Sequence, residues 1–349
     1  MTSMTRIFTV YNCGTGFNRE KTDELVANLA SRTGGSENRD WMINDGPGSA
    51  KGKKSAARTP GTFDPVSGMK VDVKFAKMKG MISGFGWMQN VEHAMAVIKA
   101  INAGSHQKIE VVNMAGWSRG AVTCHMLSHA LAADPDTDKI RVNIFALDPV
   151  PGPGNFGPEQ ITIPGNCFRY TAVFQEDEAR KIMRPVVVDP LNDEDSQTRF
   201  KFIPMPGAHN TGVRRLKTEV GLIVASLAHK FLSKHGTSIS EKLSLTSRDL
   251  CELYAKIRID IKKYRAMRGS GAQRKLLGTE ARGMVSNPFR DTAYFVNDHH
   301  RKHFEKVFPA VWRAISGVQV EAAGLQAELQ KVQTIAPTTY LSFKEVGIL

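Results

Sequence analysis

The chain has 349 residues, 41% of them hydrophobic, and 47 Lys and Arg against 34 Asp and Glu, for a net charge of +13. This is the composition of a globular protein with room for one large α/β domain, or for such a domain with a smaller appendage. No apolar run approaches the roughly 18 residues of a membrane span, which excludes an ordinary transmembrane helix. The charge, with a pI near 9.6, favours anionic partners: nucleic acid, an acidic lipid surface or an acidic protein.

Ile7 to Tyr11 reads as a first strand, ending in the Gly/Asn-rich loop Asn12-Cys13-Gly14-Thr15-Gly16-Phe17-Asn18-Arg19. A helix follows over Lys21 to Ser31. The loop lacks the spacing of a phosphate-binding G-x-x-x-x-G-K-[ST] and is too short for a dinucleotide fingerprint. Trp41 to Asn44 is a further short strand, closed by the turn Asp45-Gly46-Pro47-Gly48-Ser49. Residues 49–67 carry Lys51, Lys53, Lys54 and Arg58 among small residues, a basic surface loop suited to an anionic lipid surface or simply to solvent. Residues 79–87 are apolar and punctuated by glycine, matching either an acyl groove or core packing, and lead into a helix over Met88 to Asn102.

Ile109 to Ala115 has the pattern of a buried strand, and from Arg119 the apolar residues recur at helical spacing. Between them lies Gly116-Trp117-Ser118-Arg119-Gly120, a G-x-S-x-G. In that strand-to-helix context the motif predicts a nucleophile elbow, with Ser118 raised on a strained turn and the first helical amides facing an oxyanion. The Arg119 amide, with those of Gly14 and Thr15 from the first loop, are the candidates for the oxyanion hole. Arg141 to Leu147 is the next strand and stops at Asp148, fixed by Pro149. Cys167 to Phe174 is another, followed by Glu176-Asp177-Glu178. Phe200 to Met205 is the last clear strand and leads to a loop with His209 at its tip; Val213 to His235 then reads as one amphipathic helix.

Beyond residue 237 the texture becomes helical, near 239–267, 298–317 and 318–333, with a Gly/Arg/Ser-rich link over 268–287 and no strand pattern until Thr338. This divides the chain into an α/β domain over 1–236 and a mainly helical appendage over 237–349. The expected class is α/β-hydrolase-like: a mostly parallel central sheet flanked by helices. The run His299-His300-Arg301-Lys302-His303 lacks a suitably spaced carboxylate, so no metal is expected, and no cofactor. Cys13, Cys124, Cys167 and Cys251 are far apart and read as reduced thiols of a protein made in the cytoplasm. The N-terminus has no signal-peptide pattern, so export would need another route.

A serine hydroxyl needs a base, and the base an orienting carboxylate. In α/β-hydrolases these arrive in the order Ser, acid, His. Ser118 and His209 fill two places; the acid is Asp148 or one of Glu176, Asp177 and Glu178.

Taken together, Asn12-Cys13-Gly14-Thr15-Gly16-Phe17-Asn18, Asn44-Asp45-Gly46-Pro47-Gly48, the elbow with its Ser118-Arg119-Gly120-Ala121 tail, Leu147-Asp148-Pro149-Val150 and Pro206-Gly207-Ala208-His209 resemble a known family. It is the α/β-hydrolase domain of the type VI secretion lipase effectors, with the broader hydrolase family to which their first class belongs. The resemblance covers about residues 6–215. It implies Ser118 as nucleophile, Asp148 as acid and His209 as base, and a phospholipid or other acyl ester as substrate. A secretion apparatus and an immunity protein are the partners such an effector would have, and the positive charge suits an anionic membrane surface. A non-catalytic basic module that binds nucleic acid or a protein is the less favoured alternative. Cys13 and Thr211 stand where that family has aspartates, and Trp117 where it has phenylalanine.

Overall fold

The computed structural model describes residues 5–47, 49, 87–152, 157–178, 180–190, 199–214, 216–266 and 294–349. Its centre is a sheet of six strands: β1 (Ile7–Asn12), β2 (Trp41–Asn44), β3 (Val111–Trp117), β4 (Arg141–Leu147), β6 (Cys167–Gln175) and β8 (Phe200–Met205). They lie in the order β2-β1-β3-β4-β6-β8, and every pairing is parallel. Two short strands that the sequence did not announce, β5 (Thr162–Ile163) and β7 (Asp189–Pro190), form a separate parallel pair. Helices α1 (Leu25–Ser31), α2 (Trp87–Ala103), α3 (Arg119–Ala133), α4 (Pro158–Ile161), α5 (Thr211–Arg214) and α6 (Glu219–Lys234) accompany the sheet. The mostly parallel central sheet flanked by helices expected from the sequence is the one observed, with further helices at the C-terminal end.

Both faces of the sheet are covered, which is why its strands read as unbroken apolar runs rather than as alternating ones. Phe8, Val10, Val112, Met114, Val142 and Ile144 point to a core shared with Val91, Ala94, Val97 and Ile98 of α2 and Val122, Leu127 and Leu131 of α3. The intervening positions, Tyr11, Ala115, Trp117, Phe145 and Leu147, face Leu25, Val26 and Leu29 of α1 and Val220, Ile223 and Val224 of α6. That period of two places successive side chains on opposite layers.

One row of this sheet is polar. Asn143 Nδ2 donates to Asn113 Oδ1 at 2.9 Å, and Asn113 Nδ2 donates to Thr237 Oγ1 at 2.9 Å. Thr9 and Thr237 share a hydroxyl hydrogen bond at 2.9 Å. Buried polar groups are tolerable only when satisfied, and this ladder satisfies itself by holding down the chain that leaves α6. The same segment then pairs with the end of α1, through a bridge between Thr33 and Ile239.

Beyond it lie α7 (Ser247–Ile259), α8 (Ile261–Ala266), α9 (Asp298–Val307), α10 (Pro309–Ile315), α11 (Ala322–Ile335) and α12 (Pro337–Glu345). Cys251 and Ala255 of α7 join Phe295, Phe304, Val311, Leu329, Val332 and Phe343 in a third core. Leu253, Tyr254 and Ile257 of the same helix belong to the sheet-side core. Asn297 caps α9 and donates from Nδ2 to the carbonyl of Pro204 at 2.8 Å, tying α9 to the end of β8.

Several boundaries differ from those the pattern predicts. The first helix starts at Leu25 rather than Lys21, because Glu24 caps it. The strand carrying the elbow starts at Val111 and runs through Gly116 and Trp117. The segment from Val213 to His235 breaks into α5 and α6, the second restarted by Thr218 as its cap. Pro309 splits the helix expected over 298–317, since proline cannot continue an α-helix but starts one well. The strand pattern at Thr338 is helical, lying within α12. The basic stretch beyond Ser49, residues 79–86 and the link over 268–287 fall outside the described residues. Among the described residues no helix is long and apolar enough to cross a membrane.

Glu24 carries a pH-dependent contribution to stability. It is wholly buried, one carboxyl oxygen accepts from the Ala27 amide at 3.0 Å, and the other has no hydrogen-bond partner among the described residues. Burial pushes its pKa from 4.5 up to about 8, against the opposing pull of that amide. Above pH 4.5 the unfolded chain releases this proton while the folded one keeps it. Stability therefore falls as pH rises, by about 1.4 kcal/mol per unit, until the folded pKa near 8 is passed. Glu24→Gln removes this contribution, so urea unfolding at pH 5 and pH 8 is expected to give a smaller difference in the variant than in the wild type.

Candidate active site

The carboxyl ends of the strands bring the separated segments together. Gly116 lies beside Asn12 of β1, Trp117 beside Leu147 of β4, and Leu147 beside Val173 of β6. From β1 the chain passes to β2 on one side, and from β3 to β4 on the other, so the crevice at their carboxyl ends is a topological switch point. Ser118 stands there, between β3 and α3, with φ 57° and ψ −124°. That is a strained backbone for a residue with a Cβ, and it is the conformation a nucleophile elbow demands. The flanking glycines are required by contact. A Cβ on Gly116 would strike the backbone of Gly120, and one on Gly120 would strike the carbonyls of Asn12 and Cys13. The elbow is tied to its neighbour by Ser118 N–H donating to Leu147 O at 2.9 Å.

Asp148 follows β4 directly and also has positive φ, 43°. Its Oδ1 accepts from the Gln175 amide at 2.9 Å, and its Oδ2 lies 2.5 Å from Nδ1 of His209. Nε2 of the same ring lies 2.9 Å from Ser118 Oγ. An ionised carboxylate can only accept, so Nδ1 carries the proton towards Asp148 and Nε2 is left to accept from the serine hydroxyl. All three side chains are buried: Ser118 is 4% exposed, His209 5% and Asp148 1%. In such surroundings these contacts are far less screened than at a surface.

The acidic trio after β6 does not reach the ring nitrogens. Asp177 Oδ2 accepts from the Gly207 amide at 2.8 Å, and Glu178 Oε2 accepts from the His209 amide at 3.3 Å. Burial pushes the Glu178 carboxyl up, but bidentate pairing with Arg180, at 2.7 and 2.8 Å, outweighs it and holds the group below the ordinary glutamate range. Glu176 joins the loop through its amide, which donates to Met205 O at 3.0 Å. Asp177 and Glu178 thus hold the histidine loop.

Gly14 and Thr15 lie beside the elbow. A Cβ on Gly14 would strike the ring of Trp117, and Thr15 Oγ1 accepts from Arg119 Nη1 at 3.1 Å. The amides of Gly14 and Thr15 donate to no acceptor among the described residues. Burial lowers the Arg119 guanidinium to about 10, and it lies 5.9 Å from the Trp87 ring. So Arg119, Gly14 and Thr15 are brought together, with donors of the kind an oxyanion needs.

Histidines 299, 300 and 303 point apart. His300 stacks on Tyr254 at 4.0 Å, His299 lies 3.4 Å from Lys201 Nζ, and His303 lies 3.4 Å from the carbonyl of Ser247. Among the described residues no group of His, Cys, Asp or Glu side chains is arranged to hold a metal ion. All four cysteines are buried free thiols.

Sequence reasoning gave no role to Gln175 or Trp117, nor to Asp177 and Glu178 as supports of a loop. The first acts through its amide, which no side-chain pattern announces. The one signal for the tryptophan is its place directly before the serine in the elbow.

No family model matches the chain, and no curated protein matches it in sequence. Among solved structures, an uncharacterized protein from Pseudomonas aeruginosa is 11% identical, with a TM-score of 0.46. The match covers 97% of this chain and 59% of that one, so this chain spans little more than half of its length. The peroxisomal α/β-hydrolase Lpx1 from Saccharomyces cerevisiae is 12% identical, with a TM-score of 0.31, over 78% of this chain and 88% of that one. Both are distant likenesses, and neither bears on what the site does.

Proposed function

We propose that this chain is a serine esterase acting on acyl esters of membrane phospholipids, and that it serves as an antagonistic effector exported by a bacterial secretion apparatus. The observation that carries the esterase reading is the continuous relay from Ser118 Oγ through His209 to Asp148, with 2.9 and 2.5 Å at its two contacts. In the first step His209 Nε2 takes the hydroxyl proton as Ser118 Oγ bonds to the acyl carbon. The amides of Arg119, Gly14 and Thr15 receive the oxyanion. The carbon–alkoxy bond then breaks, and the departing alkoxide takes the proton from the imidazolium. Water, deprotonated by the same nitrogen, attacks the acyl-enzyme and releases the acid, returning the proton to Ser118. Asp148 stays ionised throughout and stabilises the imidazolium.

The lipid substrate is supported by the net charge of +13, which would draw the protein to an anionic bilayer. It is supported also by the elbow's Ser118-Arg119-Gly120-Ala121 tail, the most specific part of the resemblance to lipase effectors. The test compares fatty-acid release from vesicles of phosphatidylglycerol and phosphatidylethanolamine with hydrolysis of short-chain soluble esters. Release from vesicles that weakens as salt screens the bilayer is the expected result. Activity on the soluble esters alone would keep the esterase and remove the lipid substrate.

A further inference from the structure

His209 is a loop residue, at a turn where Gly207 has φ 119°. Its ring is useful only where Ser118 and Asp148 both reach it, and loop positions wander unless something holds them. Here both main-chain polar groups of His209 are engaged by side chains from other parts of the chain. Its N–H donates to Glu178 Oε2 at 3.3 Å, and its carbonyl accepts from Trp117 Nε1 at 3.3 Å.

Each of those side chains is itself fixed. Glu178 is buried and gripped by the two nitrogens of Arg180. Trp117 ends β3 opposite Leu147, its ring against Gly14 on one side and edge-on to Phe17, 5.0 Å away at 64°. The same indole lies 5.3 Å from the imidazole, tilted by 31°. It therefore touches both the ring of His209 and its backbone.

We propose that Trp117 and Glu178 are positioning residues that clamp the main chain of His209 from opposite ends, so that the imidazole is set before any substrate arrives. This rests on the esterase reading of Ser118 and His209. The two side chains act through His209 and not on the substrate. Their loss should slow the activation of the serine in a protein that is still folded, whereas a mere packing role would lower stability and leave that step alone.

The rate at which a fluorophosphonate labels Ser118 reads this directly, since it does not depend on knowing the substrate. Trp117→Phe keeps an aromatic ring and loses the N–H. Glu178→Gln keeps an acceptor oxygen, and Glu178→Ala keeps none. Labelling is expected to slow about five- to tenfold in Trp117→Phe and in Glu178→Ala, the loss of roughly one hydrogen bond, with kcat lowered and KM little changed. Glu178→Gln should label close to the wild-type rate. The double variant should lose less than the product of the single losses, because a loop freed at one end is held less by the other. Thermal unfolding of each variant shows that it is folded under the labelling conditions.

Wild-type labelling rates in folded Trp117→Phe and Glu178→Ala would overturn the clamp and leave the esterase standing, even if both variants melted earlier. A wild-type protein that is not labelled at Ser118, or His209→Ala labelled as fast as wild type, would overturn the esterase reading and the clamp with it.

Discussion

Ser118→Ala is expected to reduce ester hydrolysis by about 10⁴-fold or more, and to abolish fluorophosphonate labelling. The size follows from the role: without the hydroxyl no acyl-enzyme forms, and only binding and oxyanion stabilisation remain to help water attack. The fold should survive, because the side chain contributes one hydrogen bond, to His209 Nε2. Alanine also keeps a Cβ at φ 57°, so the strained turn is neither relieved nor worsened. A Ser118→Ala protein that unfolds normally and still releases fatty acid at an undiminished rate would end the proposed mechanism.

Asp148→Asn is expected to lower kcat by about 10⁴-fold with the fold intact, through the wrong histidine tautomer. The asparagine amide would present a donor to Nδ1, forcing that nitrogen to accept and putting the proton on Nε2, where Ser118 needs a base. The comparison that gives the experiment its force is Asp177→Asn. Asp177 contacts the Gly207 amide and not the imidazole, and asparagine retains an oxygen able to accept that N–H. Its activity should stay within about tenfold of wild type. Equal and large losses in the two variants would return the acidic segment after β6 to consideration as the source of the acid.

The elbow was legible because its chemistry leaves a local signature. Gly116 and Gly120 are dictated by backbone contacts, and those contacts exist only where a strand turns sharply into a helix. His209 was legible for a similar reason, lying between a strand end and a glycine turn. The acid stayed open on residue types alone, since Asp148, Asp177 and Glu178 all follow strands at the same edge. What separates them is which carboxylate meets the imidazole across 61 residues of sequence, and local pattern does not encode that. The helix breaks at Thr218 and Pro309 carried local signals that a reading by apolar periodicity passed over. At Thr338 a strand pattern was expected; Thr339, Ser342 and Phe343 are instead buried along one side of a helix, Phe343 in the third core, and tertiary packing overrode propensity.

Helix α7 presents Leu253, Tyr254 and Ile257 to one interior and Cys251 and Ala255 to the other. A rod with two greasy sides leaves neither neighbour able to melt in private: when the terminal bundle comes apart, the layer behind the sheet is laid bare to water along the same rod. Damage at a residue such as Phe343 would in this way be felt at the sheet without any signal having to travel, simply because the two halves lean on one beam.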